Sequence, residues 1–307
     1  MKRIVFFFML LLILCGCAVA PPNLEKPQSN HGAEIDMGIQ TRSPQPKSTI
    51  SSQEKRDFYK IQVANKDLNI KKMMELVHGK KQLNLFKKEK KGRQIGQIDG
   101  VKHTWEKTEN NGILYTNDRS AKEPDKKKAR QEAQDFIERF NIKFNLSFSK
   151  DNEKKDEDGS YTFCYIQTWD GIKVMGNKTV YLPDNDEKPI HGSYIEVNVD
   201  ETGIASIFLQ QVFDVKKKVK SYQTGKDLIA QDKIVKAAKK HYENLYADLK
   251  ETARMAIQDV AVIYMPYKEN NTQYFIPVYE IAIGEKGRKE SIYMLMDAVT
   301  AYVYYAQ

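Results

Sequence analysis

The sequence is poor in cysteine, tryptophan and proline. Its 307 residues include 3 Cys, 2 Trp and 10 Pro. Three cysteines cannot form a disulfide framework, so the fold must depend on its hydrophobic core. After the first twenty residues no apolar run approaches the ~20 residues that cross a bilayer, which excludes a transporter or channel with several spans. With 41% apolar and 29% charged residues, the composition is that of a folded protein with roughly two to three small domains.

The charge balance is only modestly basic. The chain has 49 Lys and Arg against 41 Asp and Glu, a formal net charge of +8. Charges of both signs are mixed along the chain, and no basic stripe is interleaved with aromatic residues, so the sequence predicts no nucleic-acid binding. The 17 Tyr and 13 Phe, beside a mean hydropathy of -0.62, predict a β-rich protein with an aromatic core and a lysine-coated surface.

The first residues have the anatomy of a secretory signal peptide. Lys2 and Arg3 form a short positive region, and an unbroken apolar run follows from Ile4 to Leu14. The chain then reads Leu14-Cys15-Gly16-Cys17. This segment resembles the bacterial lipobox, in which a small residue directly precedes the cysteine that receives the lipid.

The lipobox resemblance implies that residues 1–16 are a lipoprotein signal peptide and that Cys17 is lipidated. Two acyl chains anchor a protein stably to a membrane, so the expected location is the extracytoplasmic face of the bacterial cell membrane. The alternative is an uncleaved anchor helix from Ile4 to Ala20. At roughly 26 Å, this helix would be slightly short for a ~30 Å hydrocarbon core.

Residues 17–55 have the composition of a disordered tether. They are rich in Pro, Ser, Gln and Asn and show no helical or strand periodicity. A flexible segment of this length has a reach of roughly 30 to 35 Å, enough to hold folded domains clear of lipid headgroups. Beyond the tether, the mature chain contains one cysteine, Cys164. We interpret it as a packing residue, because it lies in an alternating aromatic stretch and no base accompanies it.

The folded part is expected to begin with a small mixed subdomain over residues 56–122. A short helix is predicted to end near Gly79. Three strands are predicted there: Phe58–Val63, Val101–Lys107 and Gly112–Thr116, the last two joined by a turn at Asn110 and Asn111. The strongly basic stretch Lys80–Arg93 is interpreted as a solvated surface, with anionic lipid or teichoic-type polymer as the alternative partner.

Two units with the same order of elements are predicted to follow, over residues 123–220 and 221–307. Each begins with an amphipathic helix and continues with antiparallel strands. One helix is predicted to have Pro124 in its first turn, and the other follows a candidate capping box at Thr224 and Asp227. The apolar faces of the two helices comprise Ala129, Ala133, Phe136, Ile137 and Phe140, and Ile234, Ala238, Tyr242, Leu245 and Leu249. The predicted fold class is α+β, with tandem units of one helix packed on an antiparallel β-meander.

The strands of these units are marked by alternation of apolar and polar residues. They are predicted at Tyr161–Trp169, Ile195–Val199, Ile204–Val212, Met255–Met265, Tyr274–Ala282, Ser291–Met296 and Tyr302–Tyr305. Turns are predicted at Asp170-Gly171 and at Glu201-Thr202-Gly203.

The second half of the sequence carries a family resemblance. The stretch from Tyr161 through the Asp170-Gly171 turn, the later turn at Asp200–Gly203 and the closing segment Met296–Val303 resemble the PepSY-type and YycI-type pattern. The resemblance covers about Asp125 to Gln307. It implies a PepSY-like fold for both units.

Members of these families are non-enzymatic extracytoplasmic modules. They are regulators that contact a membrane sensor kinase, or propeptide and inhibitor domains of secreted peptidases, so the resemblance implies a regulatory protein of one of these kinds. Three departures stand out. Lys173 replaces a frequent Pro, Ala301 replaces a frequent Gly, and a lipobox stands where YycI-type regulators have a transmembrane helix. The last turn must therefore form without glycine at a position that favours positive φ.

Residues for catalysis or metal binding do not stand out. The histidines have no metal-type spacing and are interpreted as surface or packing residues: His31, His78, His103, His191 and His241. Asp156 and Asp158 are expected in a charged loop, Lys150–Gly159, where solvent would leave their acidity ordinary. The run Asp184–Glu187 lacks the glycine and the glutamate of a calcium loop. We therefore predict no catalytic, cofactor-binding or metal-binding residue, and no enzymatic activity.

The sequence is compatible with two binding functions. The first is an interaction protein that regulates a sensor kinase or a peptidase outside the cell, with open sheet edges that accept a partner strand. The second is a binding lipoprotein for a small ligand or an anionic cell-wall polymer, which would use aromatic stacking and the basic stretch. In both, the lipid on Cys17 would provide the contact with the membrane.

Overall fold

The computed structural model describes residues 57–89, 92–108, 111–120, 122–181, 189–223, 226–245, 255–285 and 291–306. The predicted signal peptide, Cys17, the tether, Thr224 and the run Asp184–Glu187 lie outside these residues. The described residues form a mixed α/β fold with mostly antiparallel sheets and few helices, which agrees with the predicted α+β class.

The described residues contain three α-helices: α1 (Ile70–His78), α2 (Lys126–Phe144) and α3 (Gln231–Leu245). A 3-10 helix spans Lys80–Leu85. None of the helices in this part of the chain is long and apolar enough to cross a membrane.

The strands are β1 (Asp57–Asn65), β2 (Phe86–Lys88), β3 (Gln94–Ile98), β4 (Val101–Lys107), β5 (Ile113–Asn117), β6 (Phe148–Lys155), β7 (Tyr161–Trp169), β8 (Ile172–Lys173), β9 (Thr179–Tyr181), β10 (Ile190–His191), β11 (Tyr194–Asp200), β12 (Gly203–Leu209), β13 (Phe213–Gln223), β14 (Met255–Glu269), β15 (Thr272–Glu285), β16 (Ile292–Asp297) and β17 (Val303–Ala306). The strands predicted from alternation are confirmed, with shifts of a few residues at their ends.

The strands form two antiparallel sheets. Sheet A has the order β10-β9-β17-β16-β15-β1-β13, with β14 also paired to β15. Sheet B has the order β2-β3-β4-β5-β12-β11-β7-β6, with β8 paired to β7. The residues of the expected subdomain 56–122 are divided between the sheets, since β1 joins sheet A and β2 to β5 join sheet B. Ile61 of β1 pairs with Phe275 of β15, so the first strand is tied to a segment more than two hundred residues later.

Helix α2 confirms the predicted amphipathic helix. Asp125 caps it by accepting a hydrogen bond from the Lys128 N–H at 2.9 Å, and Asn145 ends it in the left-handed conformation at φ 51°. Pro124 therefore precedes the cap instead of lying in the first turn. The five predicted apolar residues are at most 3% exposed, and they form one hydrophobic core with the strands of sheet B.

Helix α1 is capped in the same way as α2, and α3 also buries apolar residues against its sheet. Asn69 caps α1 by accepting from the N–H groups of Lys71 and Lys72, and Gly79 ends it at φ 77°, as predicted. Ile234 and Ala238 of α3 are fully buried in the core of sheet A. The side chains of Leu245 and Leu249 lie outside the described residues.

Strands β6 and β13 escaped prediction because they are charged. Lys150–Lys155, expected in a loop, belongs to β6 and pairs with β7. Strand β13 contains four lysines and pairs with β1. Each is the last strand of its sheet. An edge strand of this kind lacks the buried face that produces alternation, so hydrophobic periodicity does not reveal it.

The last turn forms without glycine, as the sequence required. Ala301 adopts φ 59°. The carboxylate of Asp297 accepts hydrogen bonds from the N–H groups of Val299 at 2.9 Å and Thr300 at 2.7 Å. The Ala301 N–H donates to the carbonyl of Asp297 at 3.0 Å. These three bonds hold the turn and offset the cost of a left-handed alanine.

Candidate functional site

An open cleft lies where the two sheets meet. Its volume is about 780 Å³, within the range of roughly 300 to 1,000 Å³ that is usual for ligand sites. Strands β1, β10, β14 and β15 of sheet A contribute most of the lining, and the residues that flank β5 and β12 contribute the rest. The described lining residues are Gln62, Val63, Ala64, Asn65, Asn111, Pro189, Ile190, His191, Gln211, Pro266, Tyr267, Lys268, Asn271, Thr272 and Gln273.

The described lining of the cleft is polar and carries little charge. Six of its fifteen described lining residues are Asn or Gln. In a chain with 29% charged residues, these fifteen described residues include one lysine, Lys268, and no carboxylate. Burial lowers the pKa of His191, so this imidazole is neutral near pH 7. It is held by a 3.0 Å hydrogen bond between its Nδ1 and the hydroxyl of Thr179.

The carboxamides of the cleft retain hydrogen-bonding capacity. Gln211 Nε2 donates to Asn65 Oδ1 at 2.5 Å. The side chains of Gln62, Asn271 and Gln273 have no hydrogen-bond partner in the described part of the chain. A carboxamide offers both N–H donors and an acceptor oxygen. The arrangement therefore suits a neutral ligand rich in hydrogen-bonding groups better than a phosphate or a metal ion.

Strand β1 has an open edge at the cleft. It pairs with β13 as far as Asn65, but its pairing with β15 ends at Val63. The N–H of Lys66 donates to the carbonyl of Val212 at 2.7 Å, which continues the ladder on the β13 side. Because successive residues of an antiparallel ladder point to opposite sides, the N–H and C=O of Asn65 point to the open side.

Strand β10 has a second open edge at the cleft. It pairs with β9 and is the outermost strand of sheet A. The N–H of Gly192 donates to the carbonyl of Lys178 at 3.0 Å, on the β9 side. By the same alternation, the N–H and C=O of His191 point away from β9. Main-chain groups thus add to the hydrogen-bonding groups of the lining.

A long open edge belongs to β13, and it is protected. Two register shifts leave Lys216 and Val219 without a partner on β1. Residues 216–220 are exposed, and four of these five are lysines. Bulges and exposed lysines are the features by which natural sheets prevent another strand from pairing with an edge.

The lysines of β13 carry unbalanced positive charge. Lys218 Nζ lies 3.7 Å from the ring centre of Tyr59, and Lys220 Nζ lies 4.9 Å from that of Tyr222. Within the described ranges, no carboxylate lies within salt-bridge distance of Lys217, Lys218 or Lys220. The basic stretch Lys80–Arg93 is also at the surface, and its described lysines are exposed.

Two of the histidines meet, contrary to the expectation that all are scattered. The ring centres of His78 and His103 are 5.0 Å apart. Trp105 Nε1 donates to His78 Nε2 at 3.1 Å, and His103 Nδ1 lies 2.9 Å from the hydroxyl of Tyr115. We call these four residues the imidazole cluster. Sequence spacing could not indicate it, because α1 and the β4–β5 hairpin bring its members together.

The imidazole cluster is a packed part of the core of sheet B. Burial lowers the pKa of His78 to about 4, with a smaller effect of neighbouring His103, and it also lowers the pKa of His103. The Nε2 atom of His103 is buried and has no hydrogen-bond partner. No group of three or more potential ligands suited to a metal ion occurs among the described residues, and a zinc site needs at least three.

The other predicted site residues lie apart. Cys164 is half-buried, with its Sγ 3.8 Å from Glu196 Oε1. Burial and the charge of Glu196 raise its pKa to about 12, so the thiol is not poised as a nucleophile. His241 lies on α3, and His31 lies outside the described residues.

The expectation of ordinary acidity at Asp158 is wrong. Its carboxylate accepts hydrogen bonds from the hydroxyl of Ser160 at 2.7 Å and from its N–H at 3.0 Å, and these bonds lower its pKa. Neighbouring Asp156 accepts from Thr162 Oγ1 at 2.6 Å and from Asn198 Nδ2 at 3.0 Å. Both carboxylates therefore stabilise the turn between β6 and β7.

Comparison with known proteins gives little guidance. No family model matches the chain, and no curated protein matches it. Among solved structures, it is similar to an uncharacterized protein from Eubacterium rectale, with 14% sequence identity and a TM-score of 0.49. That match covers 82% of this chain and 87% of the other.

Sequence reasoning missed the residues of the cleft. Gln62 and Gln273 lie far apart in sequence, and the pairing of β1 with β15 brings their backbones together. Asparagine and glutamine have no characteristic spacing in a binding site of this kind. Only the position of β1 in the sheet, which no local pattern indicates, could have revealed the cleft.

Proposed function

We propose that the chain is a non-enzymatic, lipid-anchored protein of the extracytoplasmic face of the bacterial membrane, which binds another membrane or secreted protein and regulates it. The observation that carries this proposal is the cleft with two open strand edges, whose described lining residues include one lysine and no carboxylate. The lipobox-like segment at Cys17 and the tether support its location. Binding at a cleft on a tethered domain needs no reactive group.

The finer fold proposal is a pair of PepSY-like units. In support, α2 precedes β6, β7, β11 and β12, which are successive neighbours in sheet B, and α3 precedes β14 to β17, which are successive neighbours in sheet A. Each helix buries apolar residues against its own sheet. Such a pair fits a regulator of a sensor kinase of the YycI type, and equally a peptidase inhibitor or propeptide module.

Site-specific photo-crosslinking in intact cells tests the proposal. A benzophenone amino acid at the exposed position of Asn271, on the cleft, is expected to capture a second protein. The matched control places it at Lys127, an exposed residue of α2. Capture from both positions alike, or from neither, would contradict the proposal. A Cys17→Ala variant is expected to leave the membrane fraction, because it lacks the acyl anchor.

A second candidate function is binding to an anionic polymer or lipid surface, which the unpaired lysines of β13 favour. Each lysine near an anionic membrane contributes about 1 kcal/mol. A variant with Lys217→Gln, Lys218→Gln and Lys220→Gln should elute from immobilised anionic polymer at lower salt than the native chain. The control replaces three exposed lysines of α3, Lys233, Lys236 and Lys240, by Gln. Equal elution of the two variants would exclude a specific role for β13.

A further inference from the structure

We infer that the cleft binds an extended, uncharged peptide segment through the main chain of that segment, which adds as a short strand beside Asn65 and His191. This inference rests on the proposed function, in which the partner is a protein. It specifies which part of the partner is bound and which groups of the cleft bind it.

The open edges favour a peptide over other neutral ligands. The main-chain groups of Asn65 and His191 point away from the strands that already pair with β1 and β10. Along one edge of a strand, N–H and C=O groups recur at every second residue, a spacing of about 6.6 Å. An extended peptide has the same repeat, so it can continue the ladder of β1 from the point where β15 stops. A sugar has hydroxyl groups without this repeat.

The lining explains why the segment should be uncharged. Lys268 is the one lysine among the described lining residues, and His191 is neutral near pH 7. A basic side chain that entered the cleft would lose hydration and meet no carboxylate among the described lining residues, and an acidic one would meet only Lys268. The carboxamides of Gln62 and Gln273 can instead donate to peptide carbonyls and accept from peptide N–H groups. Recognition of the main chain in this way tolerates different sequences.

The edge of β13 is protected against strand addition, and the edge at the cleft is not. Its bulges at Lys216 and Val219 interrupt the regular ladder, and its lysines repel a second copy of the same strand. The edge at Asn65 is shorter, and it follows Ile61–Val63, whose pairing with β15 has no register shift. The two edges therefore differ in the feature that strand addition requires.

The first test uses the capped peptide acetyl-Ser-Val-Thr-Val-Ser-amide and the same peptide N-methylated at every internal residue. The side chains are identical, but the methylated peptide lacks the N–H donors of its three internal residues. We expect the unmethylated peptide to bind at least tenfold more tightly. It should also slow hydrogen exchange at the amides of Asn65 and His191, as measured by NMR. Equal binding of the two peptides would overturn the inference, as would exchange unchanged at both amides.

The second test changes one main-chain group. Asn65→Pro removes the N–H that points to the open side, whereas the ladder bond of Lys66 to Val212 is kept. Asn65→Ala removes the same side chain and its bond to Gln211 but keeps the N–H. We expect at least tenfold weaker peptide binding for Asn65→Pro and at most a threefold change for Asn65→Ala, with equal thermal unfolding midpoints. Equal weakening by both substitutions would overturn the inference that the main chain of Asn65 binds the peptide. If Asn65→Pro fails to fold, the N-methylated peptide decides.

The outcomes separate this inference from the proposed function. A neutral glycan, chitotetraose, serves as the competing probe. If the glycan shifts the resonances of the cleft and the peptide does not, the inference is wrong. If neither peptide binds but crosslinking at Asn271 still captures a protein, the inference falls and the proposed function stands. If crosslinking also captures nothing, both fall.

Discussion

Strand β1 borders two regions that expose main-chain hydrogen-bonding groups in different ways. On one side lies β13, whose outer edge is long, exposed, bulged and rich in lysine. On the other side, beyond the end of β15, Asn65 exposes a short edge within a cleft whose described lining is mostly polar and uncharged. The comparison teaches that an unpaired edge alone does not make a binding site. Its regularity and its charge decide whether another strand can add.

The same comparison explains why one fold tolerates both regions. A long exposed edge would expose the protein to uncontrolled self-association, so it carries bulges and lysines. A short edge inside a cleft admits only a chain that can enter the cleft. Access to the cleft therefore limits which chains can add there, whereas charge repulsion opposes strand addition at β13.

The largest expected effect comes from removing the lysines of β13. The variant Lys217→Val, Lys218→Val and Lys220→Val removes the repulsion and adds β-branched residues to an exposed edge. We expect marked self-association at concentrations where the native chain shows none, measured by sedimentation velocity. The control replaces the same lysines by Glu, which keeps the edge charged and should leave the native size unchanged. A valine variant of native size would show that the bulges alone protect the edge.

The next largest effect is expected from a substitution in β1, the strand that both regions share. Ile61 is fully buried, and its partners are Lys218 on β13 and Phe275 on β15. Ile61→Ala should lower the free energy of unfolding by about 2–5 kcal/mol, through lost burial and the cavity left behind. Urea denaturation measures this loss. Val219→Ala, at a half-exposed position of β13, should change it by less than about 0.5 kcal/mol. Equal losses would mean that β1 is not the common support of the two regions.

Acid titration provides a contrast from outside both regions, in the imidazole cluster. The folded chain holds the pKa of His78 at about 4, below its usual 6.5, so the unfolded chain binds this proton more readily. Stability should be complete above pH 6.5 and fall as the pH decreases toward 4, by roughly 1–2 kcal/mol after allowance for solvent screening.

Urea denaturation at pH 7 and at pH 5 measures this dependence. The variant His78→Gln keeps an acceptor for the indole N–H of Trp105 but does not titrate. Its loss of stability between the two pH values should be smaller than that of the native chain. Equal losses in both proteins would show that His78 does not cause the acid sensitivity.

The smallest expected effect concerns the other edge strand, β6, whose charges are balanced. Glu153 is 2.6 Å from Arg130 and 3.0 Å from Lys126, and it also binds Lys150. The hydrogen bonds from Arg130 and these lysines lower its pKa. Glu153→Gln should cost about 0.5–1 kcal/mol, as for other partly exposed ion pairs, and less at high salt. Glu157→Gln, in the exposed turn that follows, should cost nothing measurable by urea denaturation.

The sequence was sufficient to predict the elements that bury one face. The alternation in β7 and β11 and the apolar spacing of Phe136 and Phe140 in α2 record contact with a core. Local pattern and packing agree at these positions, so the strands, the helix and the α+β class could be predicted. The turn at Ala301 was also anticipated, because its chemistry is local.

The rest depends on contacts between distant segments. Strand β13 has no buried face along its lysines, so nothing in its pattern distinguishes it from a loop. The meeting of His78 with His103 and the position of Asn65 at an open edge follow from how α1 and β1 are placed in the fold. Cys17 lies outside the described residues, so its lipidation stays a prediction.

The placement of β1 also bears on how the protein would respond to mechanical load. Tension on a membrane-held N-terminal segment would enter the folded part at Asp57 and run along β1. Because β13 pairs with β1 along its whole length, a pull along the axis of β1 would load these hydrogen bonds in shear. The far end of the loaded strand is Asn65, so any displacement along β1 would reach the mouth of the cleft directly.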